Sequence, residues 1–159
     1  MLCDVRENVI IESVNVNNIY EIPLSFQKQG LDDYVLHKLN IQAPVADMTE
    51  WQAMIDRANN LQHRVKIAIV GKYVQLHDAY LSVSESLKHA GYAANSDIDI
   101  RWVNSEYLCE ENLLEELGEV DGILVPGGFG GRGIEGKIMA ARYARENKIP
   151  YFGICLGMQ

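Results

Sequence analysis

Apolar residues change their spacing along this chain, and the changes divide it. From Val9 to Ile22, Val, Ile and Asn mix without a helical period, which predicts extended segments broken by turns and closed by Pro23. Leu24, Leu31, Val35 and Leu39 then fall at helical spacing, with Gly30 dividing the stretch into two short helices. Asn40 to Asp47, holding Ala43-Pro44, reads as a connector. Thr49, with Gln52 three residues on, is expected to cap a helix through Trp51, Ile55 and Ala58.

After Arg64 the pattern becomes strand and helix in alternation. Val65 to Val70 is a short β-branched run ending at Gly71, and Asp78 to His89 is helical, with Gly91 expected to stop it. Ile98 to Val103 alternates as a strand does, and Glu111 to Leu117 suits a helix. Gly122 to Val125 is a buried strand entering Pro126, Ile134 to Lys148 a helix, and Tyr151 to Ile154 a strand. The order β-α-β-α-β-α-β predicts an α/β fold, a mostly parallel sheet with helices on both faces. Ligands of such sheets gather at the strand C-termini. Two glycine-rich segments, Gly127 to Gly133 and Gly153 to Gly157, follow strand C-termini here.

Composition narrows the partners. The 159 residues, 48% hydrophobic, suffice for one domain or pieces of two, and a net charge of −8 speaks against a nucleic-acid surface. Cys3, Cys109 and Cys155 form no C-x-x-C pair and are odd in number, which fits a reducing cytoplasm. No apolar run approaches the roughly 18 residues of a membrane span, and the start does not resemble a signal peptide.

The chemistry centres on Gly153-Ile154-Cys155-Leu156-Gly157. A cysteine set between glycines where a strand turns sharply into a helix is held in a strained, exposed elbow that presents its sulfur. Pro126 to Gly133 can offer backbone N–H groups to an oxyanion, and the N–H of Leu156 can offer a second donor. A glutamine carboxamide attacked by Cys155 would form a tetrahedral intermediate and then a thioester, releasing ammonia. A general base is still required. The histidines are His37, His63, His77 and His89, none after Cys155, so the site reads as half built, with the helix after the elbow almost wholly absent.

Plainer readings apply elsewhere. Cys3 and Cys109 read as inert small hydrophobes, the histidines as surface residues, and Glu110-Glu111 with Glu115-Glu116 as an exposed helix face. Arg132 and Lys137 are expected to be solvated or salt-bridged. Tyr73 and Tyr80 suit either an interface between the two halves or plain core packing. No metal-ligand spacing is present. Gly127 to Gly133 lacks the Lys-Ser/Thr of a P-loop, which leaves a nucleotide phosphate cradle as the runner-up there.

Further segments carry a resemblance. Gly71-Lys72-Tyr73 with Asp78-Ala79-Tyr80, Val125 to Gly133, Glu135-Gly136-Lys137, Ala144-Arg145-Glu146 and Gly153 to Gln159 resemble the amidotransferase half of the CTP synthase family. Cys3-Asp4-Val5, Ile19-Tyr20, Ile22-Pro23 and Gln29 to Asp32 resemble the end of its synthetase half. The implied layout is the synthetase end over residues 1–42, a linker with a helix over 43–64, and the first half of the amidotransferase domain over 65–159.

The resemblance implies a magnesium-dependent ligase of pyrimidine biosynthesis. It would aminate UTP to CTP using ATP and ammonia from glutamine, as a cytoplasmic homotetramer. It makes Cys155 the nucleophile and Gly128 an oxyanion and glutamine contact. Phe129 would wall the glutamine pocket, and Leu156, Gly157, Met158 and Gln159 would line it, with Gln159 bonding the substrate's backbone groups. Val14, Asn15 and Val16 fall at the adenine of ATP, with Asn15 where the family commonly has Asp. The family's magnesium-binding acids belong upstream of Met1, and the His and Glu partners of its cysteine downstream of Gln159. The chain is therefore expected to be an internal piece, inactive on its own. A stand-alone cysteine hydrolase or deglycase, and a non-catalytic interaction fragment, are the alternatives.

Overall fold

The structure, a computed structural model, describes residues 9–159; the Cys3-Asp4-Val5 resemblance and the inert reading of Cys3 lie outside the described residues. The chain forms two compact units, meeting in sequence between Asn59 and Asn60.

The first unit is helical. α1 (Ile22–Lys28) and α2 (Leu31–Leu39) are separated at Gly30, whose φ of +77° is a left-handed conformation suited to glycine. The extended segments expected up to Ile22 do not form strands. Residues 10–16 have no regular structure, a single 3₁₀ turn covers Ile19–Glu21, and Pro23 sits in the first turn of α1, where its missing N–H costs nothing. α3 (Thr49–Ala58) joins this unit: Trp51 Nε1 donates to the Tyr20 carbonyl at 2.7 Å, and the two rings meet edge to face. Thr49 does not cap α3. It lies inside the first turn, and Asp47 Oδ1 accepts from both its N–H (2.9 Å) and its hydroxyl (2.6 Å), a carboxylate taking the role expected of Thr49.

The second unit is the parallel sheet. β1 (His63–Gly71), β2 (Ser96–Asn104), β3 (Gly122–Val125) and β4 (Tyr151–Gly153) lie in the order β2-β1-β3-β4, every neighbour parallel. Alternation along the strands sorts the two faces. Ala68, Val70, Val103, Ile123 and Val125 point to one side, where they pack with α5 (Leu113–Leu117) and α6 (Ile134–Asn147) through Leu113, Leu117, Ala140 and Ala144. On the other side α4 (Leu81–Ala93) lies against β2. Asp121 fixes β3 beside β1: its carboxylate accepts from Lys66 N–H and its own N–H donates to the Lys66 carbonyl, both at 2.8 Å.

Helix limits differ from the sequence expectation: the helix expected from Asp78 begins at Leu81, after a 3₁₀ turn over His77–Tyr80. Gly91 does not stop α4, which runs on to Ala93; Gly91 is buried, and a Cβ there would stand 2.5 Å from the Ser96 carbonyl. Its smallness serves helix-to-strand approach, and the reversal falls to Asn95 at φ +53°. α5 begins at Leu113 rather than Glu111, because Asn112 is taken up in a local turn, its Oδ1 accepting from Cys109 N–H at 2.8 Å.

Candidate functional site

Two parallel strands deliver their C-terminal turns to the same place. β3 runs out through Pro126 to Gly127, and β4 through Ile154 to Cys155, with Ile154 N–H donating to the Val125 carbonyl at 2.9 Å. Cys155 is an exposed free thiol with φ +52°, the left-handed region that a residue with a Cβ enters at a cost of roughly 1–2 kcal/mol. Such strain gathers where a side chain must be aimed rather than packed.

Close backbone approach maintains the bend. A Cβ on Gly157 would lie 1.9 Å from the Val125 carbonyl oxygen, and one on Gly153 would lie 2.3 Å from the Gly157 oxygen. The Tyr151 hydroxyl closes the turn, donating to the Gly157 carbonyl at 2.6 Å. The elbow itself is a single 3₁₀ turn, Cys155–Gly157.

The first glycine segment faces the sulfur. A Cβ on Gly127 would stand 3.3 Å from Cys155 Cβ, a tight approach, and 3.8 Å from its Sγ, an ordinary van der Waals distance. Beneath the segment are two buried lysines. Lys137 Nζ donates to the Pro126 carbonyl at 3.0 Å, and Lys72 Nζ donates to the Phe129 carbonyl. Burial pushes the Lys137 ammonium below the ordinary lysine range; the Lys72 charge adds to that shift, and Cys155 opposes it. The expectation that Lys137 is solvated or salt-bridged is therefore corrected: it is 6% exposed and bonded to a backbone carbonyl. Arg132 does form an ion pair, with Glu106 at 3.0 Å.

The residues expected around glutamine separate into two places. Gly128 sits over the lysines: a Cβ there would stand 3.3 Å from Lys72 Cε, a tight contact, and 3.6 Å from Lys137 Nζ. Leu156, Gly157, Met158 and Gln159 instead line a cavity of about 690 Å³ against α6, shared with Lys137 and Tyr151. The Phe129 side chain is 93% exposed and is not in the wall of that cavity; only its carbonyl is engaged.

Elsewhere in this unit, Tyr80 is core, its hydroxyl accepting from Tyr73 N–H at 3.3 Å, while Tyr73 is exposed. All four histidines are exposed. In the first unit, Val14 and Asn15 are exposed and Val16 half-buried; the chain just before them is pinned by Gln29, whose carboxamide exchanges bonds with Glu12 N–H (2.8 Å) and carbonyl (3.0 Å). Among the described residues no group of three or more His, Cys, Asp or Glu could hold a metal ion. No helix among the described residues is long and apolar enough to cross a membrane.

The buried lysines escaped the sequence reading, although a signal was present. Lys137 lies on the stripe Gly136, Ala140, Ala144, the face of α6 that the helical period turns inward.

Known proteins align along the whole chain. The class-I glutamine amidotransferase family matches residues 75–159, and the CTP synthase N-terminus family matches residues 1–41. Relatives named CTP synthase, from Halalkalibacterium halodurans and from Bacillus thuringiensis, are 58% and 52% identical over all 159 residues. The chain spans 30% of the length of each. The fold is similar to a solved Trypanosoma brucei CTPS glutaminase domain with bound acivicin, at 48% identity and a TM-score of 0.55, covering 60% of this chain and 38% of that one. With one family matching over half of its residues, this chain belongs to the class-I glutamine amidotransferases and, within them, to the CTP synthases.

Proposed function

We propose that Cys155 is the nucleophile that splits the glutamine carboxamide, in a whole protein that passes the ammonia on to aminate UTP to CTP with ATP. The observation that carries this reading is the exposed thiol at φ +52°, at the end of a parallel strand, where a Cβ added to Gly127 would stand 3.8 Å from its sulfur. The thiolate sulfur bonds to the amide carbon, and the carbonyl π pair moves onto oxygen. That oxyanion is held by N–H groups of the Gly127–Phe129 turn and of Leu156. When the pair returns, the C–N bond breaks and nitrogen leaves as ammonia after gaining a proton, which leaves a thioester. Water then adds, releasing glutamate and the thiol.

Neither His63 nor His77 is placed to carry the proton for these steps. His63 opens β1 at the end opposite the site, and His77 is stacked on Trp102, on the sheet face away from α6. A polypeptide of these 159 residues alone is therefore expected to show negligible glutamine turnover. In the same reading Val14, Asn15 and Val16 contact the adenine of ATP through their backbone, and the whole protein is a cytoplasmic homotetramer.

The test uses the protein that carries this chain. It should hydrolyse glutamine and be inactivated by a glutamine-like diazo-ketone, with a single adduct mapped to Cys155. Cys155→Ala should abolish both. Turnover that survives Cys155→Ala, or an adduct on another thiol, overturns the assignment.

A further inference from the structure

The turn that faces Cys155 has no secondary structure of its own to orient it. Gly130 and Gly131 have open space around them, and Phe129 is in solvent. At the turn's far end Arg132 pairs with Glu106 and Gly133 packs on Ser105; on the side of Cys155 its fixed points are two carbonyls. Pro126 C=O is held by Lys137, from the buried face of α6, and Phe129 C=O by Lys72, from the residue after β1. A trans peptide is planar, with its N–H opposite its C=O, so holding a carbonyl also sets the direction of the next N–H. Lys137 thereby orients the Pro126–Gly127 peptide and Lys72 the Phe129–Gly130 peptide. Between them lie only two peptide units, which carry the N–H groups of Gly128 and Phe129.

We propose that Lys137 and Lys72 are positioning residues for glutamine hydrolysis, a two-point clamp on the turn's carbonyls that aims its N–H groups at the oxyanion formed on Cys155.

The surroundings of the lysines support this role over a purely structural one. Both are nine-tenths or more buried, and among the described residues neither pairs with a carboxylate. An ammonium kept in such a place is costly to folding, and a methionine of similar length would fill the volume without the charge. The fold alone does not call for two. Backbone carbonyls accept from them, and both approach Gly128, within 3.6 Å of where its Cβ would be for Lys137 and 3.3 Å for the Lys72 stem. The clamp rests on the assignment of Cys155 as nucleophile, and the experiment separates the two.

In the whole protein, glutamine hydrolysis, iodoacetamide alkylation of Cys155 and the melting temperature are measured for wild type, Lys137→Met, Lys137→Arg and Lys72→Met. Alkylation uses the sulfur but develops no oxyanion. With the clamp, Lys137→Met lowers kcat for glutamine by about 10- to 100-fold, short of the loss from deleting a donor outright. The alkylation rate falls by less than kcat, because the Lys137 charge reaches Cys155 but alkylation develops no oxyanion. Lys72→Met gives the same pattern, and Lys137→Arg, which keeps a donor, recovers part of kcat. Hydrolysis unchanged within about twofold in both methionine variants overturns the clamp. So does a fall in kcat matched by an equal fall in alkylation, which would assign the lysines to the sulfur. Failure of both methionine variants to fold would make the pair a folding device and also overturn it. If wild-type hydrolysis persists in Cys155→Ala, the nucleophile assignment has failed instead.

Discussion

The two glycine-rich turns at the sheet's C-terminal edge stand side by side and are held by different physics. The turn carrying Cys155 is locked by backbone against backbone: Gly153 and Gly157 leave no room for a methyl group, and the Tyr151 hydroxyl closes the loop. The turn facing it is open at Gly130 and Gly131 and is held from below, between Pro126 and Phe129, by two lysine side chains. In the proposed reaction the nucleophile needs a fixed origin, which a steric lock supplies. Donors to a charge that exists only during reaction need a fixed direction, which side chains reaching two carbonyls can set while the rest of the turn stays open to substrate.

Alanine separates these two modes. Gly157→Ala puts a carbon 1.9 Å from the Val125 oxygen, in backbone that cannot rotate away, and is expected to remove at least about 3 kcal/mol of stability. Loss of a cooperative thermal transition in the second unit checks it; a fall of only a few degrees would refute the steric lock. In the other turn, Gly130→Ala meets no atom within 4 Å and bears only its left-handed φ of +81°, so about 1 kcal/mol is expected from urea unfolding. Gly131→Ala meets nothing and carries no such φ; stability within about 0.5 kcal/mol of wild type is expected.

The lysine beneath the open turn gives a pH signature. Its folded pKa lies below its unfolded value, so between the two the unfolded chain binds more protons, and stability rises with pH up to the ordinary lysine value of 10.5. Below that window the buried charge is a standing cost. Lys137→Met should therefore keep or raise the unfolding midpoint at pH 7, and the advantage should shrink as pH climbs through the window. A midpoint well below wild type at pH 7 would mean the lysine stabilises the fold.

The sheet was legible because β1 is a β-branched run ending at glycine, β2 alternates, and β3 is an apolar run entering proline, and because strand C-termini collect sites in any parallel sheet. The elbow was legible for the same reason: glycines around a cysteine at a strand end leave few other uses. The sequence misled where a residue type has two roles. Gly91 looked like a helix stop and is a contact with β2, while Thr49 looked like a cap and is itself capped by Asp47. Val9 to Ile22 has strand composition and yet forms no strand, since propensity without pairing partners leaves a chain irregular. The lysines were hidden because charge ordinarily signals surface, and only their place on an inward helix stripe, or just after a strand, argued otherwise.

Cys155 occupies a bend that glycine would adopt without strain. With Cys155 as the proposed nucleophile, catalysis and folding place opposed demands on one position: Cys155→Gly would relax the backbone and leave the protein more heat-resistant but without its sulfur. Selection for thermal tolerance alone would discard the thiol, so its presence there is a stability sacrificed to reactivity.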